Sequence, residues 1–319
     1  MVGSIPVPGP VRWDYVSVDA ETHRLYVAHS DRVDVVDLRS HQPVLQLTPT
    51  PGVHGAAIAP DLNRVFTSNG AADALGVFDL QTGRSVQTVK VGRRPDAIVY
   101  EPSSRRVFTF NGGSNDVTAV DASTLQVLAA AIPVGGTPEY AVSDGHGHVF
   151  FNIEDKGEMA VLDARSLTIV GRYSLAPCEE PSGLAIDPKG RLYSVCRNAV
   201  MVVSDPSTGR VIGRAGIGHG ADGVAWADGK AWSANGRDGT VSVVEEVSPG
   251  EFKTVETVPT ARGARTIAAD PGLHELLSPT ADFPPEAAQG KEPPHRPQAI
   301  PGTFRVLVIG RSTSGSGSR

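Results

Sequence analysis

The chain lacks most of what would commit it early to one chemistry. Only two cysteines, Cys178 and Cys196, occur in 319 residues, and with no CxxC spacing neither a disulfide scaffold nor a multi-cysteine zinc module is on offer. Basic charge is not in excess: 29 Lys and Arg stand against 35 Asp and Glu, for a formal charge of −6 and an isoelectric point near 5.8. A nucleic-acid binder shows clustered Lys/Arg, so nucleic acid is not the expected partner. No apolar run approaches the roughly 20 residues that span a bilayer; Val195–Val203 is broken by Arg197 and Asn198. A basic stretch followed by an apolar one does not precede the first strand, which reads as a cytosolic protein or one in its mature form. His-Glu-x-x-His and Gly-x-Ser-x-Gly are both missing. The glycine-rich Gly218–Gly223 leads into a strand and not a helix, so it is no dinucleotide loop.

What is present is repetition. The chain aligns on itself with a period of about forty residues, and seven copies are countable. Unit 2, "VHGAAIAPDLNRVFTSNGAADALGVFDL", shows the plan: an apolar strand, a polar turn, an aromatic-rich strand, a loop, and a strand ending in Asp. A further strand follows, as in "RSVQTVKV", and no sustained 3.6-residue apolar period appears. Four strands repeated seven times predict an all-β, seven-bladed β-propeller with four-stranded antiparallel blades. Two β-sandwiches are the alternative, and the constant period argues against a boundary. The last unit has no fourth strand of its own, whereas Ile5–Val7 matches the pattern between units. The N-terminal strand is therefore expected to join the last blade and close the ring. Residues 1–310 read as one propeller domain, with 281–302 a Pro-rich insertion in blade 7, either lid or floppy loop, and 311–319 a flexible Gly/Ser tail.

The words Leu25–His29, Val65–Asn69 and Val107–Asn111 resemble the Tyr-Val-Thr-Asn propeller repeat. Over residues 5–310 the chain is similar to the YncE-like family of bacterial seven-bladed propellers. That resemblance implies a periplasmic or secreted protein and no common chemistry; a cytoplasmic location stays open.

Propeller geometry sorts the polar residues. Turns between first and second strands lie on one face, which puts His23, His146, His148 and His274 there as solvated turn residues. The residues leading into the innermost strands lie at the opposite mouth: Asp14, His54, Asp96, Glu139, Ser182, Asp222 and Arg265, at spacings of 40, 42, 43, 43, 40 and 43. Second-strand ends contribute His29, Asn69, Asn111, Asn152 or Ile153, Cys196, Asn235 and Pro279 just outside. Loop residues Glu154, Asp155 and Glu158 join them. Four carboxylates, one His and one Arg at a narrow opening repel one another unless a cation relieves them. Ligand binding is read for Asp14, His54, Asp96, Glu139, Asp222, Arg265, His29, Asn69, Asn111 and Asn152, and a divalent metal for His54, Asp96, Glu139 and Asp222. The bland alternative is a wet channel whose polar residues cap backbone groups. Catalytic candidates are His54, Glu139 and Arg265.

Cys178 and Cys196 fall on the mouth face of blade 5, where a disulfide is expected, with free or metal-binding thiols as the alternative. The expected function is a propeller, read as a monomer, that binds a small molecule, metal ion or protein segment at its mouth. The other reading is a lactonase-like, metal-assisted hydrolase or lyase using the same residues. Fold alone does not choose between them.

Overall fold

The computed structural model describes residues 3–284 and 298–310. The central part of the Pro-rich insertion and the Gly/Ser tail lie outside these. Seven four-stranded antiparallel sheets form seven blades. Each innermost strand touches those of its two neighbours, and the last touches the first, so the blades close a ring. Blade 2 is typical, with Val53–Ala59 innermost, then Arg64–Asn69, Ala74–Asp79 and Ser85–Lys90.

The two middle strands of each blade are covered on both faces, which is why they read as continuous apolar runs. Val65, Phe66, Leu75 and Val77 are fully buried, whereas the outer strand exposes all but Val89. In blade 4 the outer strand alternates, Thr168–Ser174 exposing every second residue. Aromatic pairs fill the wedge between blades: Phe110 of blade 3 meets Phe151 of blade 4 with ring centroids 5.0 Å apart.

The aspartate that ends the third strand shapes the turn after it. Asp79 Oδ1 accepts the backbone N–H of Thr82 at 2.8 Å and its hydroxyl at 2.7 Å. Asp37, Asp121, Asp163 and Asp205 do the same for Ser or Thr two or three residues on.

Blade 7 is assembled from both ends of the chain. Its strands are Ala268–Asp270, Glu275–Thr280, Arg305–Gly310 and, outermost, Gly3–Pro6, with Ile5 opposite Val306. Ile5 and Val7 are buried against Trp13, Leu277, Phe304 and Val306, so apolar packing as well as four ladder positions holds the closure. Among the described residues no helix is long and apolar enough to cross a membrane.

Closure by a single short strand makes its one fully buried side chain a sensitive probe. Ile5→Ala is expected to cost about 2–5 kcal/mol, the range for emptying a packed core site. Urea denaturation checks this; a loss below 0.5 kcal/mol, within the usual spread of surface substitutions, would mean that the strand is dispensable.

Candidate functional site

In blades 1 to 6 the innermost strand carries one residue too many for its ladder. In blade 2, Val53 pairs with Asn69 and Gly55 with Ser68, which leaves His54 with no residue across from it. In blade 1, Trp13 pairs with His29 and Val16 with Val27, so Asp14 and Tyr15 share the place opposite Ala28. The same irregularity falls at Asp96, Glu139, Ser182 and Asp222. Such a bulge takes a side chain off the alternation and re-aims it, here toward the axis. Blade 7 reaches the same level without it: Arg265 lies in the approach to Ala268–Asp270, and Thr266 Oγ1 donates to the Asp14 carbonyl at 2.8 Å.

Five of the seven residues form a chain of alternating charge across blades 6, 7, 1, 2 and 3. Arg265 Nε donates to Asp222 Oδ2 at 2.9 Å, and its Nη2 lies 3.6 Å from Asp14 Oδ1. Asp14 Oδ2 is 2.6 Å from His54 Nδ1, which is 3.4 Å from Asp96 Oδ1. Arg265 is further fixed by the Trp13 carbonyl at 3.0 Å, its guanidinium 5.7 Å from the Trp13 ring centroid. On the remaining arc, Ser182 donates to the Ala221 carbonyl at 3.2 Å, while Glu139 is met by a residue from across the ring.

That residue is Tyr15. From blade 1 it spans the axis and donates to Glu139 Oε2 of blade 4 at 3.1 Å, its ring edge-on to Tyr140 with centroids 4.9 Å apart. The neighbouring blades make room with small residues at the matching position: Gly55, Ala97, Gly183, Gly223 and Thr266. A Cβ on Gly183 would stand 2.7 Å from Gly223 Cα, so blades 5 and 6 approach backbone to backbone. Two tyrosines therefore form the floor of a cup walled by the seven ring residues.

The cup is short of positive charge. Burial, and next the charge of Asp14, push Asp96 up to about 6. Burial and then the charges of Asp96, Asp222 and Glu154 raise Glu139 well above the usual carboxylate range. Glu154, on the loop after the second strand of blade 4, is raised by burial, Glu180 and Asp222. Burial opposes the charge of His54, yet its hydrogen bond to Asp14 and the charge of Asp96 outweigh this and raise it. Burial acts in the same sense on Arg265 and is outweighed by Asp222 and Asp14, so the guanidinium stays cationic.

The second-strand ends differ from the sequence expectation. His29, Asn69, Asn111 and Asn152 are 0–2% exposed and stand inside the blades, away from the opening. His29 contacts Asp34 Oδ2 at 2.7 Å and the Pro10 carbonyl, stacked on Phe304, and so clamps the N-terminal segment. Asn111 donates to Asp116 at 2.7 Å and Thr118 at 3.0 Å, Asn69 accepts from Thr67 at 3.0 Å, and Asn152 donates to the Ser182 carbonyl at 2.8 Å. The amides of Asn111 and Asn152 each donate two hydrogen bonds to the protein's own oxygens. Ligand atoms of Asp14, His54 and Asp96 lie within 4.8 Å of one another, whereas Glu139 is held by Tyr15 and Asp222 by Arg265.

Sequence reasoning missed Tyr15 and Tyr140, and it placed Asp14 among the ligand-binding residues but not among the metal candidates. The signal for the tyrosines was available, because blades 1 and 4 alone place a bulky residue after the ring position. Cys178 and Cys196 form a disulfide on the mouth side of blade 5, with Cα atoms 5.4 Å apart. Beside it Arg197 and Glu180 make an exposed ion pair. Of the insertion, Phe283 packs 6.2 Å from the Trp13 ring, next to the cup wall.

No family model and no curated protein sequence matches the chain. Solved structures do. RRP9 WD40 repeats superpose with a TM-score of 0.79 at 8% identity, covering 97% of each chain. The Cps50 (Swd1) β-propeller domain of Myceliophteria thermophila gives 0.75 at 13% identity over 98% of this chain and 100% of that one. Kuenenia stuttgartiensis hydrazine synthase gives 0.73 at 15% identity over 96% of both. At these identities the likeness is one of fold.

The raised carboxyl of Asp96 fixes the sign of a pH effect. Because the folded state holds this proton more tightly than the unfolded chain, its stabilising contribution is full below pH 4 and is lost as pH rises through about 6. Asp96→Asn is therefore expected to leave stability unchanged at pH 4 and to raise it at pH 7.5 by about 1–2 kcal/mol, the linkage value discounted for partial solvent exposure. Thermal unfolding of both proteins at the two pH values checks it; a variant less stable at pH 7.5 contradicts it.

Proposed function

We propose that the protein is a binding propeller that takes a small cationic ligand into the acidic cup at its mouth. The observation that carries this reading is the gathering of Asp14, Asp96, Glu139 and Asp222 at one mouth, where burial and neighbouring carboxylates raise Asp96, Glu139 and Glu154 above their ordinary range. Arg265 and His54 supply the only neutralisation along the ring, and both are already shared between two carboxylates. A ligand cation would lower the energy of every carboxylate in the cup at once.

Two further features belong to this reading. The buried Cys178–Cys196 disulfide supports an oxidising compartment, and the resemblance to YncE-like propellers points the same way, so we read the protein as periplasmic or secreted. The hydrolase or lyase alternative rests on one residue, Glu139, whose affinity for a proton is raised by burial and by the charge of Asp96 and which accepts a hydrogen bond from Tyr15, as suits a general acid.

Thermal shift at low ionic strength tests the binding reading. Divalent chlorides or small diamines are expected to stabilise the protein by about 2–3 kcal/mol at a hundredfold excess over Kd. Sodium salts of small carboxylic acids should not, and Asp96→Asn/Glu139→Gln should abolish the cation effect. Stabilisation by the anions, or by neither class, would remove this reading.

A further inference from the structure

We propose that the cup holds one divalent metal ion, ligated by Asp14, His54 and Asp96 from the three adjacent blades 1, 2 and 3. This rests on the cation-binding reading and narrows its ligand to a class.

The donor atoms already converge. Asp14 Oδ2 and Asp96 Oδ1 flank His54 Nδ1 at 2.6 and 3.4 Å, and all three ligand atoms fit within 4.8 Å. A single Nδ1 proton cannot serve both carboxylates, and the short contact assigns it to Asp14. Asp96 Oδ1 is consequently buried with no hydrogen bond, a costly state for a carboxylate oxygen. An ion in place of that proton would satisfy the nitrogen and both oxygens together. The remaining coordination positions would face the cup.

The imidazole is also held for this role from behind. A Cβ on Gly70 would lie 2.8 Å from His54 Cδ2 and Nε2, and 3.2 Å from the Pro95 carbonyl. Glycine at 70, on the loop after the second strand of blade 2, thus leaves the space in which the ring stands with Nδ1 turned inward. Two carboxylates and one imidazole suit Mn²⁺ or Zn²⁺ better than a soft ion. Asp222 and Glu139 are engaged elsewhere in the cup, so they are expected to tune the ion's field without binding it.

Calorimetric titration of the full chain, purified through chelator and dialysed free of it, tests the site with MnCl₂ and ZnCl₂, and 1,4-diaminobutane serves as the organic cation. One ion per chain is expected. His54→Gln, Asp14→Asn and Gly70→Ala should each weaken it at least tenfold, and Asp222→Asn by less than threefold. Circular dichroism and thermal unfolding of each variant separate lost binding from lost fold, and Co²⁺ substitution in the parent reports a nitrogen ligand by its visible absorption. Diamine binding without metal binding overturns this inference and leaves the cation reading standing. Binding of neither overturns both. Metal binding that persists in folded His54→Gln and Gly70→Ala places the ion elsewhere and overturns the assignment.

Discussion

Seven innermost strands must share one axis, and that constraint governs everything at the mouth. Each strand brings one residue to the same level, by a bulge in blades 1 to 6, and from blade 6 round to blade 3 the charges placed there stand within a few ångströms of the next. Water alone cannot keep four carboxylates apart at that distance, because the opening is narrow and its walls are protein. The chain answers with an alternation, Asp222, Arg265, Asp14, His54 and Asp96, in which every cation is shared. The alternation stops at blade 3. There burial and neighbouring carboxylates oppose the charge of Asp96 and Glu139 and raise both.

The fold was legible in the sequence because repetition multiplies a weak signal. No single word such as Val65-Phe66-Thr67-Ser68-Asn69 specifies a blade, but seven in register admit one architecture. The closing strand was legible for a related reason: the last unit lacked what Ile5–Val7 could supply. The ring residues could be found by register alone, and the structure brings Asp14, His54, Asp96, Glu139, Asp222 and Arg265 to one cup. Register gives height along the axis, however, and not the direction of a side chain. His29, Asn69, Asn111 and Asn152 stand at the expected height and point into the blades, since strand parity decides facing and bulges upset it. Contacts across the axis were the least legible. Tyr15 and Glu139 are 124 residues apart, and no local pattern relates blade 1 to blade 4.

The polar residues at the mouth serve the fold and the ligand site together. Arg265 ties blades 6, 7 and 1, and His54 ties blades 1, 2 and 3, so each adds a charged clasp to the apolar packing and hydrogen bonds between the sheets. A ligand drawn to these residues would bind to the joints of the ring. Its attraction and the ring's cohesion would be measured in the same contacts.

The pairing of Gly3–Pro6 with Arg305–Gly310 has a consequence in time as well as space. The first strand of the ring has to wait for a partner about three hundred residues later, and pairings so far apart in sequence are slow to form. Through that interval six blades can hydrogen-bond internally while the seventh cannot exist. Vectorial synthesis would thus deliver an open arc with an unpaired edge at each end, and only the arrival of Arg305–Gly310 permits it to become a wheel.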